Sequence, residues 1–238
     1  MVKGFFSAHI ILYIVILLLL STQAQAARPF VTDDARLTSS GSCQLESWAR
    51  LYESSSEIWA LPACNPFGNL EFTLGAGIAR DNYAATSQDY VAQLKTLIKP
   101  LEANGWGVGL VVGKVVHPEI NPGPNLFGNS YLYVPASFSF NDDQLVIHTN
   151  IGLLKENKTN IIKTTFGVGT EYKLNTKVLG IAELFGDDRQ KPFVQIGFRY
   201  SLLPNLFQLD ATLGQPLAGK SEDLWLSFGA RFTPQNLF

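Results

Sequence analysis

Residues 224–232 read LWLSFGARF. In an extended strand Leu224, Leu226, Phe228, Ala230 and Phe232 share one side, and Trp225, Ser227, Gly229 and Arg231 share the other. Two settings accept that pattern. In a soluble sandwich the large apolar row faces a core. In a membrane barrel it faces lipid, and the small and charged row faces a water-filled lumen. Alternation alone does not separate the two, so the remainder of the chain has to.

Working back from this strand, the chain after about residue 42 divides into twelve strand candidates separated by turn signals. They fall near 43–53, 56–64, 69–80, 88–99, 105–117, 130–140, 144–155, 161–173, 177–186, 191–202, 206–216 and 222–232. Most have the ~9–11 residues that a tilted strand needs to cross a bilayer, whereas soluble strands average about five or six. Leu70, Phe72, Leu74, Ala76 and Ile78 alternate with Glu71, Thr73, Gly75 and Gly77. Ile162, Phe166, Val168 and Tyr172 alternate with Lys163, Thr165, Gly167, Gly169 and Glu171. The same holds for Val194–Tyr200 and Phe207–Leu213; the faces of 177–186 stay unassigned. The polar rows are rich in Gly and Ser and poor in Lys and Glu, unlike the charged outer face of a soluble domain. Short connections (NPFGN, FNDDQ, KLNTK, LPN) fall on one side of the count, and longer ones (HPEINPGPNLFGNS, LKENKTN, GQPLAGKSED) on the other. Short periplasmic turns and long external loops are the outer-membrane pattern. The prediction is an all-β, transmembrane, antiparallel up-and-down barrel of about twelve strands, with large apolar rows outward.

Turn geometry predicts registers. About Asp142–Asp143, Phe140 should oppose Leu145, Phe138 oppose Ile147, and Ala136 oppose Thr149. About Pro204–Asn205, Arg199 should oppose Asp210 on the polar face.

The first 26 residues, MVKGFFSAHIILYIVILLLLSTQAQA, carry an early Lys, an apolar run too short to span a bilayer, and a small-x-small site at Ala24–Ala26. They read as a signal for Sec-type export, cleaved after Ala26. Residues 27–41 then form a periplasmic or luminal segment, and 42–238 the barrel. The whole chain has a net charge of −2, and losing the leader's one Lys makes it −3. That balance offers no basic footprint for nucleic acid.

Three blocks and the C-terminus carry a resemblance: RPFVTDDA (28–35), GSCQLESW (41–48), LPACNPFGNLEFTLG (61–75) and RYSLLPNLFQLDATLG (199–214). They resemble the outer-membrane β-barrel family named for the meta-pathway of phenol degradation. The resemblance covers essentially the mature chain. It implies a barrel linked to aromatic catabolism, through uptake of small solutes, and supplies no catalytic residues. Neither composition nor spacing points to an aromatic solute.

Cys43 and Cys64, the only cysteines, lie symmetrically about Glu53–Ser54 and should face each other on paired strands. An oxidising compartment favours a disulfide there; two free thiols or a metal site are the alternatives, and no His is near in sequence for the latter. The inward charges Glu46, Arg50, Glu71, Lys95, Lys163, Glu171, Arg199, Asp210 and Arg231, with His148, either fill a narrow lumen with ion pairs or line a solute path. His117 sits at a loop entrance. No G-x-S-x-G occurs, and GVGLVVG (107–113) lies within a strand with no helix after it, so it is not a nucleotide loop. No nucleophile and base are assembled, so neither an enzyme nor a cofactor is expected. Arg28, Asp33 and Asp34 belong to a candidate N-terminal plug. An Asp there is expected to meet the unmatched charge of Arg199 and Arg231 at the periplasmic mouth; a disordered leader is the alternative. The partners expected are outer-membrane lipid, an unidentified small solute and the barrel assembly machinery. The leading reading is a channel or transporter for small, aromatic or hydrophobic solutes. A non-transporting structural or partner-binding barrel is second, and a secreted soluble barrel with an apolar ligand third.

Overall fold

A computed structural model describes residues 31–81, 86–117, 129–218, 224–235 and 237. Residues 1–30, which include the expected leader and Arg28, and parts of the longer loops (118–128 and 219–223) lie outside the described residues.

Twelve strands close into one barrel: β1 (Ser42–Leu51), β2 (Ser55–Asn65), β3 (Glu71–Asp81), β4 (Ser87–Lys99), β5 (Trp106–Val116), β6 (Asn129–Phe140), β7 (Leu145–Lys155), β8 (Ile162–Lys173), β9 (Val178–Asp187), β10 (Phe193–Leu203), β11 (Phe207–Pro216) and β12 (Trp225–Phe232). Each pairs antiparallel with its neighbours in sequence, and β1 closes on β12 from Leu45↔Phe232 to Leu51↔Leu226. Closure leaves no strand edge with unpaired backbone groups, the condition a sheet must meet in lipid.

The predicted registers hold. Phe140↔Leu145, Phe138↔Ile147 and Ala136↔Thr149 pair across one turn, and Arg199↔Asp210 across another. Turn chemistry sets these registers. Asn141, Asp142 and Asp143 adopt φ of 52°, 53° and 61°, and Asn205 adopts 59°. Among residues with a Cβ, Asn and Asp tolerate this left-handed region best.

Facing follows the alternation. On β12 Leu226, Phe228 and Phe232 are exposed, and Trp225, Ser227 and Arg231 are buried. Outward residues such as Leu74 (68% exposed) and Ile196 (62%) have no protein over them. Polar inward residues such as Arg199 (1%) and His148 (0%) are buried instead. The hydrophobic exterior and polar interior invert a soluble fold. At the rim bearing the short turns, exposed Phe72, Trp106, Phe140, Tyr172, Tyr200 and Phe232 supply an aromatic girdle of the kind found at membrane interfaces. On β9, which sequence left unassigned, Ile181 and Glu183 face in while Ala182 and Leu184 face out.

Cys43 and Cys64 pair in register on β1 and β2 and form a disulfide with Cα atoms 4.0 Å apart. Their neighbours Gln44 and Ala63 are buried inward, so the bridge lies on the outer face near the short-turn rim.

Candidate functional site: the lumen and its inserted segment

Residues 31–38 run inside the barrel, with Thr32, Asp34, Ala35 and Thr38 all buried. A chain entering a lumen must find partners for its own amides. Here strand side chains supply them. Glu183 accepts from the Val31 amide at 3.1 Å and from the Thr32 amide. Ser137 Oγ accepts from Ala35 at 2.9 Å, and Glu71 from Thr38 at 2.7 Å. Asn65 Nδ2 donates to the Thr38 carbonyl at 2.7 Å. With its amide oriented to satisfy both contacts, Asn150 accepts from Asp33 N at 2.6 Å and donates to Asp33 O at 2.9 Å. β2, β3, β6, β7 and β9 therefore all grip the segment's backbone.

Charge fixes it further. Lys95 Nζ lies 2.7 Å from Asp33 and 3.2 Å from Asp34. Tyr133 donates to Asp33 at 2.9 Å. Arg36 reaches Glu171 at 3.3 Å, and Arg199 reaches the same carboxylate at 2.8 Å. Arg231 approaches Glu46 at 4.0 Å. Asp34 lies within electrostatic reach of Arg231, as the sequence led one to expect, but the direct ion pairs are others. Asp33 and Asp34 meet Lys95, and Glu171 takes up Arg199. Lys95 is on β4, far in sequence from the Arg-bearing hairpin, so no turn arithmetic could place it opposite the segment. Arg199 and Asp210 oppose each other in register, and the guanidinium reaches past β9 to Glu171 on β8. Lys163 stands apart at the long-loop rim, 2.6 Å from Glu156 and 3.6 Å from Asp187.

His148 Nδ1 lies 2.8 Å from Ser137 Oγ, and its Nε2 lies 3.6 Å from Glu171. Because the Ala35 N–H already donates to Ser137 Oγ, the hydroxyl proton is free to point at Nδ1, leaving Nε2–H toward Glu171. This puts a serine, histidine and carboxylate in line. Ser137 and His148 are both 0% exposed, and the inserted segment covers the serine. In this arrangement the hydroxyl serves as an acceptor for the segment.

A glycine makes room for it: a Cβ on Gly167 would strike Thr32. Other inward glycines underlie aromatic rings, with Gly77 beneath Trp59, Gly113 beneath Tyr131 and Gly214 beneath Trp225. Sequence reading placed the glycines inward but missed the rings that lie on them. Trp48 stacks on Trp59 at 5.8 Å, Tyr131 on Tyr133 at 5.9 Å, and Phe185 on Phe193 at 5.5 Å. The signal was present as aromatics in the polar rows.

Two cavities flank Val31. One of about 360 Å³ is lined by Trp48, Trp59, Glu46, Glu57, Arg50 and others, reaching down to Lys95. The other, of about 420 Å³, is lined by Tyr131, Tyr133, Phe185 and Phe193 with Asn150 and Thr165.

Solved outer-membrane channels share this fold. The chain is similar to the KdgM porin in complex with disordered oligogalacturonate (TM-score 0.59, 8% identity, 79% of this chain and 98% of that one). It is similar to the NanC porin (0.56, 10%, 80% and 98%). It is also similar to the COG4313 outer membrane channel from Pseudomonas putida F1 (0.57, 10%, 84% and 98%). At these identities the likeness is one of fold. No curated protein matches the sequence. A family described as uncharacterised conserved protein UCP029691 matches residues 14–233, most of the chain, and the protein belongs to that family.

Proposed function

We propose that the protein is an outer-membrane channel for small solutes, in which residues 31–38 are a plug that has to shift before solute passes. The observation that carries this reading is the segment itself: it crosses a polar lumen and separates two cavities. A purely structural core would gain more from apolar packing than from buried ion pairs, which are weak stabilisers in themselves. An exposed apolar exterior and an aromatic girdle support the membrane setting, as does the fold shared with outer-membrane porins. In this reading the leader directs Sec-type export, and the barrel assembly machinery inserts the chain. The stacked rings lining both cavities favour aromatic or hydrophobic solutes.

The test is conductance in planar bilayers, with and without residues 28–36. The deletion should raise conductance, and liposome swelling with phenols, aromatic acids and sugars should then rank the solutes. A folded deletion variant that passes no more current or solute than the intact barrel refutes the plug. A barrel silent in both forms favours the second reading, a non-transporting one.

A further inference from the structure

The two cavities differ in charge. The wall of the one beside Trp48 and Trp59 bears four carboxylates, Asp33, Glu46, Glu57 and Glu71, against two cations, Arg50 and Lys95. Both cations are already matched: Arg50 lies 2.9 Å from Glu57, and Lys95 lies 2.7 Å from Asp33. No cationic group of the wall is left to attract an anion; with Arg231 approaching Glu46 at 4.0 Å from outside the wall, the cavity keeps an excess of one negative charge.

Two further observations are independent of that charge. Trp48 and Trp59 sit opposite each other on β1 and β2, nearly parallel at 14°, and present indole to the cavity. Indole is the best aromatic surface for a cation. The barrel already makes one such contact, with the Arg50 guanidinium 5.3 Å from the Trp225 ring centre. In addition, Gln44 lines the cavity at 6% exposure, and its Oε1 has no hydrogen-bond partner among the described residues. A buried carbonyl oxygen calls for a donor. Anions and ethers offer none, whereas an ammonium offers up to three.

We propose that this cavity is a binding site for small organic cations that carry N–H donors, such as protonated aromatic amines. The ring of such a ligand lies along the Trp48–Trp59 pair, and its ammonium faces Gln44 and the carboxylates. The volume is in the range of small-molecule sites. Arg50 and Glu57 at its upper end keep 18% and 20% side-chain exposure, so the cavity is open to water near the β1–β2 turn. The proposal rests on the reading of the lumen as a solute path, and it names the class of solute.

Binding can be read without any conductance. Folded protein in detergent is titrated with benzylammonium, benzyl alcohol or benzoate, and tryptophan fluorescence and heat are followed. Benzylammonium should bind at least tenfold more tightly than benzyl alcohol, and benzoate more weakly than either. Trp59→Leu and Glu46→Gln should each weaken benzylammonium several-fold, and Ile196→Leu on the outer face should leave it unchanged. The comparison of three ligands on the intact protein needs no variant, so a misfolded mutant cannot blunt it. Equal affinity for the three, a preference for benzoate, or full affinity in folded Trp59→Leu and Glu46→Gln overturns the proposal. Amine binding by a barrel that never conducts upholds the site while refuting the channel. Conduction with no amine preference refutes the site alone.

Discussion

Lys95→Met tests the inserted segment most directly. The Lys95 ammonium is 3% exposed and sits 2.7 Å from Asp33 and 3.2 Å from Asp34. Removing it leaves two carboxylates inside the barrel, with Arg36 still 3.7 Å from Asp34. Breaking a buried pair from one side costs about 3–5 kcal/mol, because the remaining charge is stranded. That cost falls on the state with the segment inside; with the segment withdrawn, both Asp side chains return to water. At roughly 1.4 kcal/mol per tenfold, the lower bound shifts the in–out balance by about a hundredfold or more. Trypsin reads the balance through Arg36, whose side chain is only 13% exposed with the segment in place. When opening is fast, cleavage follows the open population. Cleavage after Arg36 in the folded barrel should therefore accelerate by about two orders of magnitude in Lys95→Met. Adding Asp33→Asn and Asp34→Asn should recover much of the protection, since no stranded charge is left. A Lys95→Met barrel that is folded, as judged by heat-modifiable gel mobility, yet is cut at the original rate would refute the reasoning.

Three other outcomes follow from the fold. Phe228→Arg, on the outer face, should destabilise the barrel in lipid by about 2–4 kcal/mol if Phe228 lies near the bilayer midplane, against a small loss for Leu226→Phe; denaturant unfolding into liposomes measures both. Reducing the Cys43–Cys64 bridge, whose cysteines are 21 residues apart, should cost about 3 kcal/mol or less and change mobility between reducing and non-reducing gels. Maleimide labelling of the unfolded, unreduced chain would count against the bridge. In the β7–β8 loop, hydrogen bonds from Lys163 and Thr159 hold the Glu156 carboxyl below its usual range. Its stabilising contribution is thus present above the ordinary carboxylate value and lost as pH falls through the lowered one. Amide exchange at residues 156–161 should rise on acidification in that window, and Glu156→Gln should abolish the pH step.

Strand number, facing and local register were legible in the sequence because each rests on short-range rules. LWLSFGARF needs only a period of two to divide lipid from lumen, and Asn and Asp in the FNDDQ turn set Phe138 against Ile147. Cys43 and Cys64 could be matched because a hairpin pairs residues at equal distances from its turn. On β9, Gly180, Ile181, Ala182 and Leu184 mix sizes on both faces, and only the neighbouring strands settle that Glu183 points inward. The lumen follows a different logic. Which inward residues meet across it depends on closure, stagger and the path of residues 31–38, and these are properties of the whole ring. Lys95 finds Asp33 across 62 positions of sequence, and Glu183 finds Val31 across 152. Composition predicted charges inside the barrel; the tertiary structure chose their partners, because electrostatic pairing in a lumen is decided by distance across space.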